Sequence, residues 1–279
     1  MIEVKNLKKY FGRKEVLNIK NLKINQGEIV GFFGPNGCGK TTFFRIILSL
    51  IKEIEYSHLH ISSSKIGLIE QPGFYNYLSG IDNLKYLLSQ QELINASKYI
   101  RTMNMEEYIS KPVKKYSMGM KQRLALVLVF SANAEIIVLD EPTNSLDSEG
   151  VTLFKELVKI AHCEGKTILI SSHAFNNMSD VCNHFLLFKD GDVENLDFNS
   201  TFFSELYIIH FEDNSALEIA IKSINFPCER LSNTCLKIYL KKDDISSFFD
   251  EISKNKITSF YRVDDAITFF NNQLEKRNI

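Results

Sequence analysis

The chain has 279 residues and carries 33 Lys and Arg against 34 Asp and Glu, a formal net charge of −1. This length allows one large domain and a small one, and the balanced charge argues against a nucleic-acid partner. Hydrophobic residues make up 44% of the sequence, but no apolar run approaches the roughly 20 residues that span a bilayer.

The first two thirds of the chain alternate short apolar segments with turns and amphipathic stretches. Segments 2–4, 16–24 and 28–33 predict strands, and 43–50 predicts a buried helix. The later predictions are strands within 56–69, a helical stretch over 80–105, a helix over 117–130 capped by Ser117, a strand at 135–139, a helix at 148–162, a strand at 167–171, a helix at 175–181 and a strand at 184–188. This alternation favours a mostly parallel α/β sheet.

The character of the sequence changes near residue 198. The pattern beyond it predicts strands at 206–211, 228–231, 236–240 and 257–263, with helices at 215–223, 245–253 and 266–276. This βαββαβ order with an added helix is typical of a small ferredoxin-like α+β module. We therefore expect one domain over 1–198, with a helical subdomain at about 75–132, and a second domain over 199–279.

A glycine-rich segment follows the third predicted strand and precedes the first predicted helix. It reads Gly34-Pro35-Asn36-Gly37-Cys38-Gly39-Lys40-Thr41, with Thr42 next, and fits the phosphate-binding loop pattern. Glycines let the backbone wrap so that N–H groups face a phosphate, Lys40 supplies a cation, and Thr41 offers a hydroxyl to Mg²⁺. The alternative is a glycine-rich turn with a chance lysine.

Two carboxylates end the apolar strand at 135–139. Asp140 is placed to help hold Mg²⁺, and Glu141 to polarise an attacking water, because a carboxylate neutralised by a metal is a poor base. The alternative is a strand that simply ends at the surface.

Further motifs occur in a fixed order along residues 1–195 and together resemble the nucleotide-binding subunit of ABC transporters. These are Gln71, which is similar to the Q-loop glutamine; the segment Tyr116-Ser117-Met118-Gly119-Met120-Lys121-Gln122-Arg123, which is similar to the signature motif; Asn144-Ser145-Leu146-Asp147, similar to the D-loop; and Ser171-Ser172-His173, similar to the switch histidine. Taken singly, Gln71 could be a turn residue, His173 a core or helix-capping histidine, and Ser117 only a helix cap.

The resemblance implies a phosphate-loop NTPase of the ABC type, with a mostly parallel sheet, an antiparallel β subdomain and a helical subdomain. It implies ATP and Mg²⁺ as cofactors, with Lys40, Thr41, Asp140 and Glu141 on one side of the nucleotide. Ser117 and Gly119 of a second ATPase subunit would cover the other side, in a homodimer or heterodimer with Asp147 nearby. His173 would contact the γ-phosphate, and Gln71 would sense metal and water.

The resemblance also implies that an aromatic residue before the second strand stacks on adenine. Phe11, next to Gly12, is the better alignment, and Tyr10 is the alternative; a core aromatic is also possible. The loop at 73–80 carries Phe74, Tyr75 and Tyr77, which we expect to receive a separate transmembrane permease subunit unless they fold back onto their own core.

The implied function is an ATPase subunit that drives a transporter of the exporter kind from the cytoplasmic face of the membrane. The absence of a signal-peptide core at the start and the five scattered cysteines fit this placement. The alternatives are a non-transport ABC ATPase and a weakly hydrolysing regulatory or immunity subunit. Met118 and Met120 motivate the last one, because the family usually has Gly and Gln there.

Overall fold

The computed structural model describes residues 1–62, 64–68, 73–172, 178, 180–195, 205–224, 226, 228–240, 245–252 and 256–262. Contacts within the chain divide it into two compact units, Met1–Leu196 and Asp197–Ile279, and each is described by itself. The helix expected at 266–276 lies outside the described residues, as does most of the one expected at 175–181.

The first unit contains nine strands and five α-helices among its described residues. In chain order they are β1 (Ile2–Phe11), β2 (Lys14–Ile24), β3 (Ile29–Phe33), α1 (Lys40–Ile47), β4 (His58–Ile61), β5 (Lys65–Leu68), α2 (Gly80–Leu87), α3 (Gln90–Thr102), a 3-10 turn (Val113–Lys115), α4 (Met118–Ser131), β6 (Ile136–Leu139), α5 (Ser148–Cys163), β7 (Thr167–Ser171), β8 (His184–Lys189) and β9 (Asp192–Asn195).

A six-stranded sheet forms the centre of this unit, in the order β5-β6-β7-β3-β8-β9. Its first five strands are parallel, and β9 runs antiparallel to β8, so the predicted, mostly parallel sheet is confirmed. Every residue of β3, β6 and β7 is buried, as expected for strands covered on both faces. Because parallel strands end at one edge, the segments after β3, β6 and β7 meet there.

A second, antiparallel sheet has the order β2-β1-β4. Its apolar face joins one core with the central sheet and α1, in which Phe32 and Phe44 pack edge to face with ring centroids 5.0 Å apart. The strand β1 is longer than the sequence pattern predicts, because its pairing with β2 continues as far as Phe11 and Lys14. This sheet carries Tyr10 and Phe11 at its end.

The helical part of the first unit differs in one respect from the sequence prediction. The expected single stretch over 80–105 is two helices, α2 and α3, broken at Leu88 and Ser89. Ser89 and Glu92 form a capping box, which starts a new helix with its own satisfied N–H groups. Ser117 caps α4 as predicted, with its Oγ accepting from the Met120 N–H at 3.2 Å.

Among its described residues, the second unit contains a four-stranded antiparallel sheet and two helices. Its elements are β10 (Glu205–Phe211), α6 (Asn214–Ser223), β11 (Cys228–Arg230), β12 (Cys235–Leu240), α7 (Ile245–Ile252) and β13 (Ile257–Arg262). The strand order β11-β12-β10-β13, with every neighbouring pair antiparallel, is the ferredoxin-like arrangement that the sequence predicts. Tyr207, Ile209 and Ile238 of the sheet share one core with Leu217 and Phe248 of the helices.

Across the described parts of both units, no helix combines the length and the apolar character that a transmembrane segment requires.

Candidate functional site

The segment between β3 and α1 forms a tight loop that only glycine permits at two positions. Gly34 has φ 147°, and a Cβ there would lie 2.4 Å from the Phe188 carbonyl oxygen. Gly39 has φ 111°, and its Cβ would lie 2.5 Å from Cδ2 of Leu17. The loop therefore wraps closely against β8 and β2, and these contacts constrain its backbone.

Lys40 points back into this loop, with only 6% of the residue exposed. Its Nζ donates to the Gly34 carbonyl at 2.7 Å and to the Pro35 carbonyl at 3.2 Å, and it lies 3.7 Å from the Cys38 sulfur. None of these described partners carries a negative charge. Since burying an unneutralised cation is costly, the loop is electrostatically prepared for an anion.

The start of α1 adds to this preference for an anion. Gly39 occupies the N-cap position without a side chain to accept from the first N–H groups. Unsatisfied N–H groups at a helix start bind phosphate readily. The glycine loop, the ammonium and the helix end therefore all favour the same kind of ligand.

A chain of hydrogen bonds links the loop to the ends of β6 and β7. Thr41 Oγ1 donates to Oδ2 of Asp140 at 2.6 Å, and Ser171 Oγ donates to Oδ1 of Asp140 at 2.5 Å. The Glu141 N–H donates in turn to Ser171 Oγ at 2.9 Å. Hydroxyl and carboxylate oxygens are ligands that Mg²⁺ accepts, so Thr41 and Asp140 fit the predicted metal position.

The donor set also limits which metal suits the site. Within the described ranges no three His, Cys, Asp or Glu side chains are grouped so that they could hold a metal ion by themselves. A metal at Thr41 and Asp140 must therefore complete its shell with water or ligand oxygens. Mg²⁺ usually does so, with one or two carboxylates plus substrate phosphates.

Glu141 adopts a left-handed backbone conformation, φ 50°, which costs a non-glycine residue energy and is common at functional sites. It lies at a cavity of about 170 Å³ lined by Asn36, Gly37, Gly39, Lys40, Thr41, Thr42, Asp140 and Glu141. The structure thus brings together the phosphate loop and both carboxylates. An anion seated at Lys40 would share this cavity with the Glu141 carboxylate.

The residues of the signature-like segment belong to a different surface. Ser117 is exposed at the start of α4, and Gly119 packs so closely on the D-loop-like segment that a Cβ would lie 3.0 Å from the Ser145 carbonyl oxygen. Neither residue is among those that line the cavity. The structure therefore does not bring Ser117 and Gly119 to the phosphate loop of the same chain.

Two side chains of α4 join this surface to the segment after β6. Gln122 Nε2 donates to the Pro142 carbonyl at 2.8 Å, directly after Glu141. Arg123 donates to Oδ1 of Asp147 at 3.1 Å. Asp147 also caps α5, and the Gly150 N–H, followed by Arg123, lowers the pKa of its carboxyl. Asp147 does not line the cavity, so its predicted place beside a nucleotide stays a prediction.

Tyr10 and Phe11 differ in their surroundings. The Tyr10 hydroxyl donates to Oε2 of Glu15 at 2.7 Å, and this bond raises the pKa of the phenol. The Phe11 side chain is engaged by Lys9, whose Nζ lies 4.9 Å from the ring centroid, while 52% of the residue stays exposed. Phe11 therefore offers an accessible ring, whereas Tyr10 is tied to its own hairpin.

Gln71 and His173 lie outside the described residues, so their predicted roles stay predictions. Sequence reasoning assigned no role to Ser171 or Gln122, which the structure connects to Asp140 and to the residue after Glu141. Ser171 could have been found from the parallel order of the strands, since it ends β7 beside the end of β6. Gln122 belongs to the signature-like segment, but its bond to the Pro142 carbonyl could not be inferred from that pattern.

Comparisons with known proteins agree with this geometry. The family model described as "ABC transporter" matches residues 17–144, which lie within the first unit. The lantibiotic transport ATP-binding protein SrtF of Streptococcus pyogenes is 31% identical over 206 residues, covering 69% of this chain and 89% of SrtF. The bacitracin transport ATP-binding protein BcrA of Enterococcus faecalis is 33% identical, covering 68% of this chain and 67% of BcrA.

A solved structure, described as the dimeric structure of MJ0796, a bacterial ABC transporter cassette, is also similar. It is 26% identical with a TM-score of 0.60, covering 71% of this chain and 99% of that one. The likeness confirms the predicted fold class for the first unit.

Replacing Gly39 by Ala should damage the phosphate loop. The new Cβ meets Leu17 at 2.5 Å and strains a φ of 111°, which together should cost about 2–4 kcal/mol. We expect a lower melting temperature by circular dichroism and at least a tenfold loss of ATP affinity by calorimetry. The control is Gly165→Ala, at φ 78° with open space around its Cβ, which should keep wild-type ATP affinity. Equal ATP affinity in both variants would contradict the loop's role.

Proposed function

Because this chain belongs to the ABC transporter family of ATP-binding proteins, we propose that it binds MgATP at Lys40 and hydrolyses it in a dimer that drives a membrane-spanning partner. One observation carries this proposal. The buried ammonium of Lys40, held by carbonyls, shares a cavity of about 170 Å³ with Asp140 and Glu141. A polyphosphate would neutralise the cation and place its terminal phosphate beside the carboxylates.

In this proposal the triphosphate lies along the loop from Gly34 to Thr42. The backbone N–H groups of the loop and of the start of α1 donate hydrogen bonds to its phosphate oxygens, and the Lys40 ammonium moves from its carbonyl partners to phosphate oxygens. Thr41 and Asp140 would hold Mg²⁺, which supplies positive charge that offsets the charge developing on the phosphates.

Glu141 is the proposed general base of the hydrolysis. Its carboxylate takes a proton from a water molecule whose oxygen forms a bond to the γ-phosphorus, while the bond between that phosphorus and the bridging oxygen of ADP breaks. The products are ADP and inorganic phosphate. The Glu141 backbone N–H donates to Ser171, whose hydroxyl also donates to Asp140. Ser171 therefore helps fix the position of one carboxylate-bearing residue relative to the other. By resemblance, Gln71 and His173 complete the site.

A second ATPase subunit is needed in this proposal to close the site. Ser117 and Gly119 do not line the cavity of their own chain, yet Ser117 is exposed at the start of α4, a position that suits an anion. We place these residues over the γ-phosphate of a partner copy or of a related subunit. The dimeric description of the similar MJ0796 cassette supports this arrangement.

Phe11 is the proposed platform for the adenine base. Its ring is accessible, whereas the Tyr10 hydroxyl is bound to Glu15. Stacking on an aromatic face contributes about 1–3 kcal/mol per base and tolerates different bases.

An exposed aromatic surface is the proposed contact for the membrane-spanning subunit. It consists of Tyr75, Tyr77, Leu78 and Tyr86, of which Tyr77 is 83% exposed. Asn83 is fully buried beneath it, with its Oδ1 accepting from the Tyr75 N–H and its Nδ2 donating to the Tyr75 carbonyl, and so fixes the loop. A rigid, exposed cluster of aromatic rings is typical of protein interfaces.

Binding of this surface to the membrane-spanning subunit would place the chain on the cytoplasmic face of the membrane. SrtF and BcrA are named as transport proteins for a lantibiotic and for bacitracin, which favours an exporter of peptide-like compounds. The transported compound would be selected by the membrane-spanning subunit.

Glu141→Gln should stop hydrolysis while leaving ATP binding intact. The amide keeps the shape of the side chain but cannot accept a proton, so we expect a loss of kcat of about 100-fold or more. The Kd for MgATP should stay within threefold, and light scattering should show ATP-dependent dimers. Rapid turnover by Glu141→Gln would overturn the role of Glu141. If the wild type is already as slow as this variant, the weakly hydrolysing alternative that Met118 and Met120 suggest is favoured.

A cysteine at Tyr77 should cross-link to the membrane-spanning protein that co-purifies with this chain. Tyr77 is 83% exposed in the aromatic surface, so its replacement leaves the core unchanged. Tyr56→Cys, at a residue 54% exposed outside that surface, is the matched control. The wild type reports any background from the exposed Cys163 and Cys228. Equal cross-linking from positions 56 and 77 would contradict this docking surface.

A further inference from the structure

Lys9 is an unusual residue of the β2-β1-β4 sheet, because it is charged and only 4% exposed. It lies in β1, two residues before Phe11, and none of the steps proposed above uses it. A buried lysine needs a reason to keep its charge, since removing an ammonium from water is costly.

The contacts of Lys9 fix its ammonium against the Phe11 ring. Nζ donates to the Glu53 carbonyl at 2.7 Å and lies 4.9 Å from the ring centroid. The Glu53 carboxylate is 3.9 Å away, but that side chain is 96% exposed, so water screens the pair. Besides its bond to the Glu53 carbonyl, the ammonium therefore acts on the aromatic ring through a cation–π contact.

Strand pairing places Lys9 on the side of the sheet that approaches the phosphate loop, and its ammonium lies over the Phe11 ring. Lys9 pairs with Leu17, and cross-strand partners share a face. The Leu17 side chain reaches Gly39, where a Cβ would lie only 2.5 Å from it. Tyr10 instead pairs with Glu15 and binds it through the hydroxyl.

We propose that Lys9 is a positioning residue for the nucleotide base. Its ammonium holds the Phe11 ring in place from one side and draws ring electrons toward itself. The outer face of the ring then repels the π-electrons of a stacked purine less than an unperturbed ring does. This inference rests on the proposed function, because it requires that Phe11 stacks on the base of ATP.

The test compares ligands with and without a base on the full-length chain. Lys9→Met keeps the length of the side chain and removes the charge, and Lys9→Gln also keeps an N–H donor for the Glu53 carbonyl. By calorimetry both variants should bind MgATP about five- to tenfold more weakly than the wild type, yet bind magnesium tripolyphosphate equally well. Lys5→Met, at an exposed lysine of the same strand, should leave both affinities unchanged.

A double-mutant comparison separates positioning from a general structural effect. In the Phe11→Leu background, Lys9→Met should cause no further loss of ATP affinity, because the ring through which Lys9 acts is gone. Wild-type ATP affinity in both Lys9 variants, or an equal loss for tripolyphosphate, would overturn the inference while leaving the proposed function standing. A wild-type chain that binds no MgATP would overturn both.

Discussion

The site depends on a buried positive charge whose hydrogen-bond partners among the described residues are carbonyl oxygens and a sulfur, none of them a carboxylate. Lys40 is 6% exposed, and its ammonium is held at 2.7 Å from the Gly34 carbonyl within a loop that Gly34 and Gly39 shape. Carbonyl dipoles make this burial tolerable but do not neutralise it. The folded chain therefore favours binding of an anion at Lys40, and the surrounding N–H groups and helix end make phosphate the preferred anion.

The parallel sheet brings the residues proposed for catalysis to this anion site. Because β3, β6 and β7 end at one edge, the phosphate loop, Asp140 and Ser171 are joined by hydrogen bonds although they are far apart in sequence. The signature-like surface at Ser117 belongs to the same chain but not to the same cavity. Gln122, bound to the Pro142 carbonyl, connects the two, so a partner nucleotide at Ser117 would be coupled to the segment that carries Glu141.

Sequence patterns predicted those features that arise from local spacing. Neighbouring residues alone predict the glycine loop, the buried strand before Asp140, the Ser117 cap and the βαββαβ order of the second unit. They do not predict the break at Ser89, which depends on a competing helix cap. Nor do they predict the contact from Ser171 to Asp140 or the pairing of Lys9 with Leu17, because both depend on the alignment of strands. The sequence already favoured Phe11 over Tyr10 through its position next to Gly12, and the bond from Tyr10 to Glu15 adds a physical reason for that preference. Gln71 and His173 stay predictions from resemblance.

The most direct test of the central claim is equilibrium binding of MgATP to Lys40→Met, with the melting temperature recorded without nucleotide. Removing a buried, unneutralised cation should leave the free protein at least as stable as the wild type. The same change should weaken ATP binding about 30-fold or more, because the phosphate loses its buried charge partner. A stable Lys40→Met protein that binds MgATP with wild-type affinity would contradict the account.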